Sequence, residues 1–168
     1  MGLLTPQSEM DTLHQESRDG SMQCAFACII NTEISALLAV MRRNVRWGVR
    51  YFAIDNKLEH PLIRSLKRLR KEIFLWQNQW DSTYPAAYLQ PFLEVIQSDE
   101  TGPPITGVAL SSVYKILTLE WTFLIYIPAK SKMLWLFIVD AVTSCRFEVS
   151  DPASEEVMLM KILQVLLA

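Results

Sequence analysis

A chain of 168 residues, 51% hydrophobic and 20% charged, fits one domain and can bury roughly two-thirds of the surface its unfolded state exposes. That apolar content excludes intrinsic disorder over most of the chain, and 5 glycines with 8 prolines exclude collagen-like and linker-like compositions. A formal net charge of -2 gives no global pull toward nucleic acid, while a mean hydropathy of +0.17 calls for either a rich core or apolar surface meant for a partner.

In chain order, residues 1–21 are polar and read as a flexible arm without a secretory signal pattern; residues 22–168 read as one helical domain. The first helix is predicted over Cys28–Ala53. Ile30, Ile34, Leu37, Leu38, Met41, Val45, Val49 and Phe52 share an arc about 120° wide at 100° per residue. The second runs from Asn56 to Trp80 on Leu58, Leu62, Leu66, Leu69, Ile73, Trp76 and Trp80, with Asn56 and Glu59 as a capping box or, given Pro61, a start at His60. The third covers Pro85–Gln97 and buries Leu89, Phe92, Leu93 and Ile96, with Pro91 expected to kink or split it. Ser98–Gly102 then forms a solvated loop. The fourth helix starts near Pro104 and carries Ile105, Val108, Ala109, Val113, Ile116 and Leu117; the fifth covers Met133–Cys145. The sixth takes Asp151 as N-cap and Pro152 as first residue, and its stripe of Val157, Met160 and Leu163 runs to the last residue without a stop signal, as in a fragment of a longer protein. The fold class is therefore all-α, an armadillo- or HEAT-like solenoid of about six helices. An irregular apolar segment is expected near 119–138; its dense runs are each far shorter than the roughly 20 residues that span a membrane.

Catalytic signatures are missing: no phosphate-binding glycine loop, no nucleophile elbow and no zinc-protease helix occurs. Cys24 and Cys28, one helical turn apart, read as small buried hydrophobes, since two further zinc ligands are not in sight. No catalytic residue, cofactor or metal is assigned. The informative feature is basic. Ten of the 16 Lys and Arg residues fall between Arg42 and Lys71, opposed there only by Asp55 and Glu59. Arg42, Arg43, Arg46 and Arg50 share one arc of the first helix, and beyond them Ala36, Val40, Trp47 and Tyr51 form a second stripe. Arg42, Arg43, Arg46, Trp47, Arg50 and Tyr51 are thus the candidate partner-binding residues, because Arg, Trp and Tyr combine apolar area with directed hydrogen bonds. Packing of Trp47 and Tyr51 inside the same domain competes with that reading. Attraction of the Arg42–Arg50 face to anionic lipid would use the same residues; nucleic acid is not favoured, since no binding module accompanies the charge.

Several strings resemble the large plant Arf guanine-nucleotide exchange factors of the GNOM and GNOM-like type: Ile34-x-x-Leu37-Leu-Ala-Val-Met-Arg-Arg-Asn-Val-Arg-Trp-Gly48, Leu89-Gln-Pro-Phe-Leu93, Ser98-Asp-Glu-Thr-Gly102, Ile105–Leu117, Ser144-Cys-Arg-Phe-Glu-Val149, Asp151–Glu156 and Lys161–Ala168. The resemblance implies an all-helical, armadillo-like dimerisation and cyclophilin-binding domain, cut short. It further implies self-association as a homodimer, contact with the neighbouring homology domain, possible binding of cyclophilin, and recruitment to Golgi or endosomal membranes from the cytoplasm in vesicle-mediated transport. Exchange on Arf belongs, by the same resemblance, to a separate catalytic domain, and no glutamate of this chain matches its motif. One departure stands out: between Leu119 and Ile138 the family has a more polar loop leading into an amphipathic helix, where this chain has the apolar Trp121–Phe137 segment.

Overall fold

The computed structural model describes residues 6–51, 59–76, 83–123, 131–145 and 152–167; within these, the side chains of 6–19, 22, 49–51, 120–123, 131–134 and 152–154 lie outside the description. Seven α-helices and one 3-10 turn account for nearly all of it: α1 (Pro6–Arg43), α2 (Val45–Tyr51), α3 (Pro61–Glu72) running into the 3-10 turn Ile73–Trp76, α4 (Pro85–Gln97), α5 (Pro103–Phe123), α6 (Ser131–Thr143) and α7 (Pro152–Leu167). No strand occurs among the described residues, so the all-α class holds. Five of the seven helices begin on proline, whose fixed φ suits the first turn and whose missing N–H is not needed there.

Helix α5 is the hub: it packs against α1, α4 and α7, while α4 also meets α3 and α6. Much of the core comes from the predicted stripes. Ile30, Ile34, Leu37, Leu38 and Met41 of α1, Leu66 and Leu69 of α3, Ile73 of the 3-10 turn, Leu89, Phe92, Leu93 and Ile96 of α4, and Ile105, Ala109, Val113, Ile116 and Leu117 of α5 are all buried. Burying one such side chain contributes about 1.5–3 kcal/mol. Phe26 meets Tyr88 of α4 edge-to-face at 5.5 Å. Part of α1, Gln23–Arg43, is long and apolar enough to cross a membrane by length and composition. Its buried stripe nevertheless packs on α3 and α5, and the carboxylate of Glu33 sits mid-segment.

Five expectations are corrected. Helix α1 begins at Pro6, so residues 6–21 are helical rather than a loose arm. The predicted first helix is two helices, broken at Asn44. Pro91 does not split α4, which runs from Pro85 to Gln97 with Pro91 buried. The apolar stretch near 119–138 is largely helical: α5 extends to Phe123 and α6 starts at Ser131, leaving 124–130 outside the described residues. Cys24 and Cys28 are exposed rather than buried, and only Cys145 is partly covered. The Asn56–Glu59 capping box and the Asp151 N-cap both involve residues outside the description; His60 caps α3, its ring accepting from the Leu62 amide.

Candidate functional site

The break at Asn44 decides what the basic region can do. The Asn44 amide still donates to Val40 O, at 3.0 Å, as the last bond of α1. Its side-chain Oδ1 then accepts from the amides of Arg46 and Trp47, at 3.1 and 3.4 Å, which is how an asparagine caps a new helix. Helix α2 folds back over the end of α1 at Gly48, where an added Cβ would lie 2.3 Å from the Arg42 carbonyl oxygen. The phase of the helix is thereby reset. In one straight helix Trp47 falls about 120° from Met41; here it turns inward and is 1% exposed, while Val45, assigned to the apolar arc, is 84% exposed.

Trp47 is therefore a core residue, and its assignment to the partner-binding face is corrected. Its indole Nε1 donates to Glu100 O at 3.1 Å, and its ring packs edge-on against His60 at 4.7 Å. The Leu62 amide donates to His60 Nδ1 at 3.3 Å. That places the ring proton on Nε2, which faces Glu100 Oε1 at 3.3 Å. Trp47, His60 and Glu100 thus tie α2, the start of α3 and the α4–α5 turn into one corner. The turn is built to hold Glu100 there: Thr101 is buried, its hydroxyl directed at Val95 O (2.8 Å) and Ser98 O (2.9 Å). Ser98–Gly102, expected to be merely solvated, is a structural joint.

Of the other candidates, Arg42, Arg43 and Arg46 are exposed. Arg42 and Arg43 close the last turn of α1, where positive charge complements the helix dipole. The side chains of Arg50 and Tyr51 lie outside the described residues. Of the candidates whose side chains are described, three arginines line the surface and Trp47 is inside.

Sequence reasoning missed a second polar system. Glu33 on α1 is buried; Ser112 Oγ donates to its Oε2 at 2.8 Å and Lys115 Nζ to its Oε1 at 2.9 Å. One turn back along α5, Lys161 of α7 donates to Gly107 O and Ser111 Oγ, both at 2.9 Å. Burial, and secondarily the nearby Lys115 charge, hold the Lys161 amine below its ordinary range. Burial pushes the Cys145 thiol up, which disfavours a reactive thiolate. The signal for this system was present, since Gly107, Ser111, Ser112 and Lys115 form a small polar stripe on an otherwise apolar helix. Among the described residues no group of three or more His, Cys, Asp or Glu side chains converges on a metal-sized site.

Among the described residues, two surfaces stand out as unaccounted for by packing. The first is the outside of α6 and α7. Helix α7 buries Met158 and Val165 on one side, yet exposes Val157, Met160, Leu163 and Leu167 on the other, and α6 exposes Leu136 and Phe137 as well. The stripe that the sequence places on the sixth helix thus faces out. The second is the end of α3, where Phe74 and Leu75 of the 3-10 turn are exposed next to a row of basic residues.

Comparison with known proteins places the chain beside a set of large relatives. It is 69% identical over 144 residues, 86% of its length, to the ARF guanine-nucleotide exchange factor GNL1 of Arabidopsis thaliana. It is 61% identical over 153 residues, 91% of its length, to the ARF guanine-nucleotide exchange factor GNOM of the same plant. A third match, 33% identical over 110 residues, is ARF guanine-nucleotide exchange factor 1 of Saccharomyces cerevisiae. The chain spans about a tenth of the length of the two plant relatives. No family model matches it, and no solved structure does.

Proposed function

We propose that this chain, a relative of the ARF guanine-nucleotide exchange factors over most of its length, is a non-catalytic assembly module of such a factor. It works in the cytoplasm in membrane trafficking, and it pairs with a second copy of itself. The observation that carries the reading is the outer face of α6 and α7. A helix that already buries Met158 and Val165 has no need of a second apolar stripe for its own fold; Met160, Leu163 and Leu167 are useful only when covered. A two-fold pairing of this face suits a stripe of repeated, uncharged side chains, because the same patch then serves both partners. Exchange on Arf is left to segments of the relatives that this chain does not match.

Sedimentation equilibrium on the purified chain tests the pairing. The reading predicts a dimer mass at tens of micromolar; a monomer across that range removes it. A nucleotide-exchange assay on Arf should show no acceleration by this chain, and acceleration would make it an enzyme in its own right.

A further inference from the structure

Helix α3 carries five basic residues, Arg64, Lys67, Arg68, Arg70 and Lys71, against the single acid Glu72. Its inner side is spent on the core through Ile63, Leu66 and Leu69. The spacing of Arg64, Arg68 and Lys71, four and then three residues apart, puts all three on the side away from that core. Lys67 is held by Glu59, and Arg68 only grazes Glu72 at 4.0 Å. Arg70 and Lys71 have no ionic partner among the described residues. One turn further on, where the helix tightens to 3-10 geometry, Phe74 is 38% and Leu75 77% exposed, while Ile73 between them and the helix anchors the turn in the core. Fixed apolar side chains projecting beside unpaired cations are a poor design for a surface facing only water. They match an interface that is negatively charged at its surface and apolar just below it.

We infer that the end of α3 and its 3-10 turn form a docking edge for an anionic membrane surface, with Arg64, Arg68 and Lys71 at headgroup level and Phe74 and Leu75 entering the acyl boundary. The edge is separate from the α6–α7 face and does not depend on pairing through it. An acidic protein segment would satisfy the cations but leave Leu75 without a matching environment, so the bilayer is the better fit. Arg42, Arg43 and Arg46 have a weaker claim, since among the described residues the exposed apolar group beside them is Val45 alone.

Flotation of the full chain with phosphatidylcholine vesicles, with and without phosphatidylserine, tests the edge. Binding is expected only to the anionic vesicles and to weaken as salt rises. Replacing Arg68 and Lys71 together by glutamate should lower partitioning about tenfold or more; replacing them by Lys and Arg respectively should retain it. Leu75→Asp should lower binding as well, with an unchanged circular-dichroism spectrum, because the residue is exposed. Self-association should survive all of these changes, so failure of the edge and failure of the pairing are read separately. Equal binding to neutral vesicles, retention of binding by the double glutamate variant, loss of it only with Arg42, Arg43 and Arg46 reversed, or binding to a soluble polyglutamate peptide but not to vesicles would each overturn the inference.

Discussion

At the scale of single residues, the joint between α1 and α2 is the most sensitive point in the molecule. A Cβ at position 48 meets the Arg42 carbonyl oxygen at 2.3 Å, and that oxygen is backbone, so it cannot swing aside. Gly48→Ala should therefore cost about 1–3 kcal/mol, as overpacking does, read as a lower midpoint in urea unfolding. Trp47 separates two contributions at the same joint. Trp47→Phe keeps most of the buried ring but removes the donor to Glu100 O, a loss of about 1 kcal/mol, whereas Trp47→Ala also opens a cavity and should cost about 3–5 kcal/mol. A Phe variant as damaged as the Ala variant would show that the indole hydrogen bond, not the ring volume, holds the corner. The residue scale is also where the sequence was least legible. A helical wheel assumes one continuous phase, and Asn44 interrupts it; the asparagine, followed by two amides it can cap and a glycine four residues on, was the available sign.

At the scale of elements, buried faces were legible and partners were not. The periodicity of α3, α4 and α5 is a direct imprint of burial on one side, and it named most of the core. Proline at the first turn marked the starts of α3, α4 and α7. Periodicity is silent on which stripe of a two-striped helix faces inward, and so Val157, Met160 and Leu163 on α7 lie outside while Met158 and Val165 lie inside. What selects the inner face is polar: Lys161 reaches Gly107 O and Ser111 Oγ on α5, and Gly107 makes room for it, since a Cβ there would stand 3.3 Å from Met158 Sδ and 3.5 Å from Lys161 Nζ. This contact gives a pH dependence. The folded state holds the Lys161 amine below its ordinary value of 10.5, so around that range the unfolded chain binds more protons. Stability from this group must then rise with pH through the window just below 10.5. Comparing urea midpoints of the chain and its Lys161→Met variant across that window should show a positive slope that the variant lacks; identical slopes would mean that the amine titrates alike in both states. One turn further along the same stripe of α5, Glu33→Ala strands the buried Ser112 hydroxyl that now donates to Glu33, at a cost of about 1–3 kcal/mol, measurable by thermal unfolding.

At the scale of the whole molecule, a helical body organised around α5 spends its polar chemistry on internal joints: Trp47–His60–Glu100 at one corner, and Glu33 with Ser112 and Lys115 alongside Lys161 at another. Beyond these joints, the described residues leave exposed apolar side chains on α6, α7 and the 3-10 turn. In the proposed reading, this chain, which resembles about a tenth of much longer exchange factors, is a part that holds other parts in place. The measurement closest to this claim is the concentration-dependent mass of the chain by light scattering, beside that of a Met160→Asp, Leu163→Asp double variant. Both residues are exposed, so the double variant should keep its fold and thermal midpoint. The account predicts a wild-type chain that doubles in mass with concentration and a variant that stays monomeric. A wild type that never dimerises, or a dimer untouched by two aspartates on α7, would contradict it.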